Sequence, residues 1–184
     1  MTENSESTME PIDVAADHVR GPLTGHLIVE YGDYECPYSR QAYRAIQRVE
    51  DGLDPGVRFA FRHFPLTEIH PHALPAAAAA EAAALQGRFW DMHDLLFHRQ
   101  KALENDDLQR YAAELGLDIA QFDCDRAGAV VLRRIRRDVE SGIASGEVLG
   151  TPTLFIDGVV HRAGYDAETL MAALTGQARP GRWS

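Results

Sequence analysis

A chain of 184 residues, 45% of them hydrophobic, is long enough to enclose one hydrophobic core without disulfide bonds. Its formal net charge of −10 repels phosphate backbones, and the one dense basic run, Arg133 to Arg137, has the pattern of a solvated helix face, which argues against nucleic-acid binding. No segment approaches the roughly 20 apolar residues of a membrane span, and the N-terminal dozen residues lack a signal-peptide pattern, so the sequence predicts a soluble, cytoplasmic protein without membrane insertion.

The first third of the chain alternates apolar runs with a helical pattern. Residues 1–24 show no periodicity and are predicted to be a flexible N-terminal segment. The β-branched run of residues 26–31 predicts a buried strand. A helix is predicted to begin at Pro37 and to end at Gly52. Residues 57–64 then alternate between apolar and polar side chains, which predicts a strand with one covered face.

This strand, helix and strand predict a βαβ unit with parallel strands and a right-handed crossover. The following stretch, about residues 66–147, is predicted to be an all-helical insertion. Within it, Asn105 is the expected N-cap of one helix, and a long last helix is expected from about Asp125. The apolar seam expected in that last helix consists of Val131, Ile135, Val139 and Ile143.

The chain then returns to strands and ends in a helix. Residues 153–162 predict an antiparallel hairpin about the turn Asp157-Gly158. Asp166 is predicted to cap a helix that ends at Gly176, and residues 177–184 are predicted to be a frayed C-terminal tail.

A βαβ half and a ββα half with helices between them form an α/β thioredoxin fold with an inserted helical subdomain, predicted over residues 25–176. Four strings carry a resemblance to a known family: EYGDYECPYS, RFAFRHFPL followed by HPHA, FWDMHDLLF and GTPTLFIDG. Over residues 20–176 the chain resembles the DsbA-like branch of thioredoxin-fold proteins, above all the domains found free or fused behind sodium/proton antiporters.

The string CPYS places a single cysteine at the start of the first predicted helix. Unpaired N–H groups of a first helical turn favour a thiolate, so Cys36 is the expected nucleophile. Ser39, one turn further on, is expected to donate a hydrogen bond to that sulfur. Pro37 and Tyr38 are expected to shape and cover the turn. These four residues are the predicted catalytic group.

The resemblance also implies a substrate-binding pair, Thr151 and Pro152. In the DsbA-like family the threonine-proline peptide bond at this place is cis and faces the active cysteine. The resemblance therefore implies that the backbone of Thr151 forms strand-like hydrogen bonds with a peptide or with glutathione.

Serine in place of a second cysteine limits the reactions open to Cys36. A mixed disulfide at Cys36 needs an outside thiol for its release, because a serine hydroxyl cannot resolve it. The sequence therefore predicts monothiol exchange: glutathionylation or deglutathionylation, disulfide isomerisation or oxidant sensing. The expected partners are protein or low-molecular-weight thiols and disulfides, with glutathione as a co-substrate and no other cofactor. No motif predicts an oligomeric state.

Two other functions are compatible with the pattern. One is a non-catalytic redox-sensing or interaction module, favoured by the kinship with domains fused to transporters. The other is a glutathione transferase or isomerase of the kappa-like branch, which has a similar outline. Those proteins use a serine at the helix start, where this chain has Cys36.

The remaining polar residues have ordinary structural interpretations. Cys124 lies among acidic residues and is expected to be structural, with a resolving role as the alternative. Asp33 and Glu35 are expected to be solvated loop carboxylates. No ligand cluster has zinc-like spacing, so no metal site is predicted. The histidines that could in principle be metal ligands are His63, His70, His72, His93 and His98.

Overall fold

The computed structural model describes residues 8–53 and 56–176; the predicted C-terminal tail lies outside them. The strands are β1 (His18–Arg20), β2 (His26–Gly32), β3 (Val57–His63), β4 (Thr153–Ile156) and β5 (Val159–His161). The helices are α1 (Pro37–Gly52), α2 (Ala73–Leu85), α3 (Phe89–His98), α4 (Asn105–Glu114), α5 (Ile119–Arg126), α6 (Ala129–Ser145) and α7 (Ala167–Leu174).

The strands form one mixed sheet in the order β1-β3-β2-β4-β5. Strands β2 and β3 are parallel, as the βαβ prediction requires, whereas β4 runs antiparallel to β2 and β5 antiparallel to β4. The helices α2 to α6 lie between the two halves of the sheet in chain order. The predicted α/β thioredoxin fold with a helical insertion is therefore confirmed.

The prediction of a flexible segment over residues 1–24 is wrong for its described part. Strand β1 pairs antiparallel with β3, with His18 opposite Phe61. Ahead of it, Asp17 is 7% exposed and bonded to the guanidinium of Arg62. Local periodicity cannot reveal such a segment, because the partners that order it lie far along the chain.

Strand β3 is covered on both faces, not on one as predicted. Phe59 and Phe61 pack into the main hydrophobic core, and Ala60 packs into a second cluster on the opposite face with Tyr31. Arg62, a polar member of the alternation, is 1% exposed. Successive side chains of β3 therefore point into two buried environments, one on each face of the sheet.

Several local signals are confirmed. Helix α1 begins at Pro37 and ends at Gly52 as predicted. The turn between β4 and β5 has positive φ at Asp157 (49°) and Gly158 (83°), as a two-residue hairpin turn requires. Asp166 caps α7, since its carboxylate accepts a hydrogen bond from the N–H of Thr169 at 2.9 Å.

The helical insertion differs from the prediction in one cap and in one helix boundary. The N-cap of α4 is Glu104, whose N–H donates to the Asp107 carboxylate at 3.2 Å, and Asn105 is the first helical residue. The long helix expected from about Asp125 begins at Ala129, after Gly128, and a separate helix, α5, precedes it.

The seam of α6 is also shorter than predicted. Val131 and Ile135 are buried, but Ile143 is 64% exposed. Each step of four residues rotates the side chain by about 40° beyond a full turn, so the stripe drifts off the packed face. Serines at 141 and 145 are buried there instead.

Candidate active site around Cys36

Cys36 is the N-cap residue of α1 and is 3% exposed. Its thiol donates a hydrogen bond to the carbonyl oxygen of Thr151, with Sγ and O 3.3 Å apart. Pro37 has no N–H, and the N–H of Arg40 donates to the Cys36 carbonyl at 3.2 Å. The N–H groups of the first turn without an intrahelical acceptor are therefore those of Tyr38 and Ser39, directly after the cysteine.

Ser39 is buried, but its hydroxyl makes a different contact from the one predicted. Its Oγ accepts a hydrogen bond from the N–H of Asp33 at 3.2 Å. Among the described residues, no hydrogen bond joins Ser39 Oγ to Cys36 Sγ. This hydrogen bond joins the first turn of α1 to the loop before Cys36, and the serine therefore stabilises that loop.

The predicted substrate-binding pair lies directly opposite Cys36. The Thr151-Pro152 peptide bond is cis, and both residues precede β4 and stay outside its ladder. The surface beside them is apolar, since Leu149 is 89% exposed and Tyr38 58% exposed. The roles of Pro37 and Tyr38 in shaping and covering the turn stay a prediction.

Asp33 and Glu35 are not the solvated carboxylates that the sequence analysis expected. Asp33 is 1% exposed and accepts hydrogen bonds from the N–H of Leu66 at 2.9 Å and from Nδ1 of His70 at 2.7 Å. Glu35 accepts from Nδ1 of His72 at 2.9 Å, and this hydrogen bond raises the pKa of that histidine. The two carboxylates join the Cys36 loop to the start of the insertion.

Gln100 is a further site residue that the sequence analysis missed. Its Nε2 donates to the carbonyl oxygens of Tyr34 and Cys36, both at 2.8 Å. A side chain from the insertion thus fixes the backbone on both sides of Glu35. Only the tertiary structure reveals this contact, because the paired positions lie 64 and 66 residues apart.

The other candidates lie apart from this arrangement or serve the core. Cys124 is exposed on α5, and both cysteines are free thiols. His93 is fully buried, and its Nδ1 lies 2.9 Å from the hydroxyl of Tyr34. His98 contacts the carbonyl oxygen of Asp94 in its own helix.

Glu30 is a buried carboxyl group that the sequence analysis did not single out, although it is the one acid in the apolar run of residues 26–31. It is 0% exposed, and neither carboxyl oxygen has a hydrogen-bond partner among the described residues. Burial raises its pKa to about 8, against an opposing effect of Arg20. A Cβ on Gly32 would lie 2.9 Å from Glu30 Oε1, so the carboxyl group points along β2 toward the Cys36 loop.

Replacing Glu30 with glutamine is expected to remove a loss of stability that the wild type shows as the pH rises. The folded protein keeps Glu30 protonated up to about pH 8, whereas the unfolded chain releases that proton near 4.5. The free energy of unfolding is therefore highest below this window and falls through it, by on the order of 5 kcal/mol in total. Urea unfolding at about pH 5, 7 and 9 measures the slope. The exposed Glu68→Gln variant is the control, and an unchanged slope in Glu30→Gln contradicts the prediction.

Comparisons with known proteins agree with this architecture. The profile of a family described as Thioredoxin matches residues 15–175. The Na(+)/H(+) antiporter NhaA 1 of Salinispora arenicola is 45% identical over 179 residues, which are 95% of this chain and 27% of that protein. The chain thus spans about a quarter of the length of the curated relatives it matches.

Two solved structures illustrate the structural likeness. A thioredoxin-like oxidoreductase from Silicibacter pomeroyi DSS-3 is 27% identical, with a TM-score of 0.76 over 90% of this chain and 94% of that chain. Oxidised BdbD from Bacillus subtilis is 18% identical, with a TM-score of 0.78 over 93% and 97%, and shows the fold alone. The predicted resemblance to DsbA-like thioredoxin-fold proteins is confirmed.

The cytoplasmic location predicted from the sequence is wrong. The curated relatives that contradict it are named as sodium/proton antiporters. That prediction relied on the lack of a membrane-span pattern and of a signal-peptide pattern, and neither absence identifies a compartment. Of the helices within residues 8–53 and 56–176, none has the length and apolarity that crossing a bilayer requires.

Proposed function

The chain belongs to the thioredoxin family, and from this premise we propose that it is a thiol-disulfide oxidoreductase that works through Cys36 alone. One observation carries the proposal. Cys36 Sγ lies at the N-cap of α1, 3.3 Å from the carbonyl oxygen of Thr151, with a serine in place of the second sulfur. Cysteine at a helix N-terminus is the arrangement that favours a nucleophilic thiolate.

The proposed reaction is an exchange in two steps. The Cys36 thiolate attacks one sulfur of a disulfide, which forms a mixed disulfide on Cys36 and releases the other half as a thiolate. A second thiolate from solution attacks the substrate sulfur of that mixed disulfide, which frees Cys36 again. Ser39 takes no part in resolution, because its oxygen accepts a hydrogen bond from Asp33 and cannot form a disulfide. Thr151 and the exposed Leu149 offer the surface on which an extended substrate binds.

Charge near the site supports glutathione as the outside thiol. Arg40, Arg44 and Arg48 follow one another along α1 and line a groove that begins at Pro37. The groove also includes Lys101 and one carboxylate, that of Asp166. A row of cations in a chain of net charge −10 favours a small anion at this place. Glutathione carries two carboxylates and one ammonium group, so its net negative charge is opposite to the net positive charge of the groove.

Incubation with oxidised glutathione, followed by intact-mass measurement, tests the proposal. We expect one glutathione adduct per wild-type chain, the same adduct in Cys124→Ser and none in Cys36→Ser. Added reduced glutathione is expected to remove the adduct and to support catalytic turnover of a small mixed disulfide. An adduct that forms on Cys124 instead, or a Cys36→Ser variant with full turnover, contradicts the proposal.

The redox-sensing or interaction module is the second candidate, favoured by the antiporter names of the curated relatives. It predicts the same adduct on Cys36 but no turnover. The two parts of the experiment therefore separate an enzyme from a sensor.

A further inference from the structure

A buried cluster of three side chains lies apart from Cys36 and has no role in the proposed exchange. It consists of His18 on β1, His63 at the end of β3 and Glu81 on α2. Both histidine Nε2 atoms lie 2.7 Å from the same carboxylate oxygen, Glu81 Oε1. His18 and Glu81 are 63 positions apart in the chain, so no spacing motif could have predicted the cluster.

The sheet register explains why these side chains meet. His18 pairs with Phe61 across the antiparallel strands, and His63 lies two residues beyond Phe61 on the same face. Helix α2 brings Glu81 to that face. Aromatic rings hold both imidazoles: the His18 ring stacks on Phe89 with centroids 3.5 Å apart, and the His63 ring meets Phe89 edge-on at 6.0 Å.

The charge of Glu81 needs a cation. Its side chain is 6% exposed, and among the described residues neither lysine nor arginine forms an ion pair with it. A buried anion is therefore balanced either by a proton on an imidazole or by a metal ion.

We propose that His18, His63 and Glu81 bind one divalent transition-metal ion of the zinc type. Two imidazole nitrogens and a carboxylate oxygen are ligands that Zn²⁺ accepts, and three protein ligands leave a fourth position for water. Tetrahedral bonds of about 2.0–2.1 Å place ligand atoms roughly 3.3 Å apart, so each histidine nitrogen, now 2.7 Å from Glu81 Oε1, moves away from it by about 0.6 Å. His18 is the partly exposed member, at 18%, so the ion enters from its side. The bound ion joins β1 and β3 to α2.

Metal titration of the chelator-treated full-length protein tests the site. Zinc is followed by calorimetry and cobalt by its visible absorption, and we expect one ion per chain. Affinity is expected to fall more than about 100-fold in His18→Gln and Glu81→Gln. It is expected to be unchanged in His26→Gln, which alters an exposed histidine paired with Asp157, and in Cys36→Ser, which removes the site thiol. Magnesium is expected not to bind, because it prefers oxygen ligands.

Thermal unfolding gives a second readout that does not depend on each variant folding equally well. Zinc is expected to raise the melting temperature of the wild type, His26→Gln and Cys36→Ser, but not that of His18→Gln. Absence of a bound ion in the wild type overturns the proposal and leaves a proton as the balancing charge. Undiminished binding in His18→Gln, or binding lost in Cys36→Ser, also overturns it.

Discussion

Replacing Ser39 with cysteine is expected to add an activity that the proposed monothiol cycle does not include, the net oxidation of substrate dithiols. Residues three apart on a helix have Cα atoms about 5 Å apart, which is within the range of about 4.4–6.8 Å that disulfides span. Oxidised glutathione, reduced to two thiols, converts Cys36 and the new sulfur into an intramolecular disulfide. A dithiol substrate then reduces this disulfide, with one sulfur attacked and the other released, and leaves as a disulfide itself. The expected gain in oxidation of a reduced dithiol peptide, without added thiol, is at least about 100-fold, since resolution becomes intramolecular.

Thiol counting and peptide turnover measure this gain. The control is Ser145→Cys, which adds a sulfur at another buried serine, on α6 and away from α1. We expect it to oxidise dithiols no faster than the wild type. If Ser39→Cys forms the disulfide but does not turn over, the missing second sulfur is not what limits the reactions of Cys36.

Replacing Arg62 with alanine is expected to lower the free energy of unfolding by about 3–5 kcal/mol. The guanidinium is 1% exposed and binds Asp17 through two nitrogens, at 3.0 and 2.9 Å. It also donates to the Tyr31 hydroxyl at 2.8 Å and to the carbonyl oxygens of Glu10 and Pro11 at 3.0 and 3.1 Å. Its removal leaves a buried carboxylate and two carbonyl groups without this partner.

The pKa of Asp17 predicts how this contribution depends on pH. Burial raises that pKa, but the hydrogen bonds from Arg62 outweigh burial and the net shift is downward. The stabilisation is therefore present above the ordinary pKa of 3.8 and is lost as the pH falls below it. In Arg62→Ala, Arg137 compensates part of the lost stability, because its Nη1 lies 3.6 Å from Asp17 Oδ1.

Urea unfolding measures the cost, and limited proteolysis shows where the structure loosens. Cleavage is expected within residues 8–17, because Arg62 holds that segment against β3. Arg58→Ala is the control: Arg58 lies on the same strand, is partly exposed and forms no ion pair among the described residues. It is expected to cost no more than about 0.5 kcal/mol. Equal costs for the two variants would show that the buried network does not stabilise the fold.

The candidate site was predictable from sequence only in part. Cys36, Pro37, Thr151 and Pro152 lie in short strings with their own signal, and the structure brings them together. The residues that hold the loop before Cys36 in place lie in a distant part of the chain. Asp33 and Glu35 look solvated in sequence because their donors, His70 and His72, are supplied by the insertion.

The sequence by itself determined the βαβ unit, the helical character of the insertion, the β4–β5 hairpin turn, the cap of α7 and the single sulfur at the start of α1. These features depend on neighbours within a few residues, where backbone propensity and side-chain periodicity act. Only the tertiary structure decided that residues before β1 are ordered by Arg62, that Glu30 is buried without a partner and that His18, His63 and Glu81 meet. Burial and ion pairing are set by side chains from distant segments, so local patterns carry no record of them.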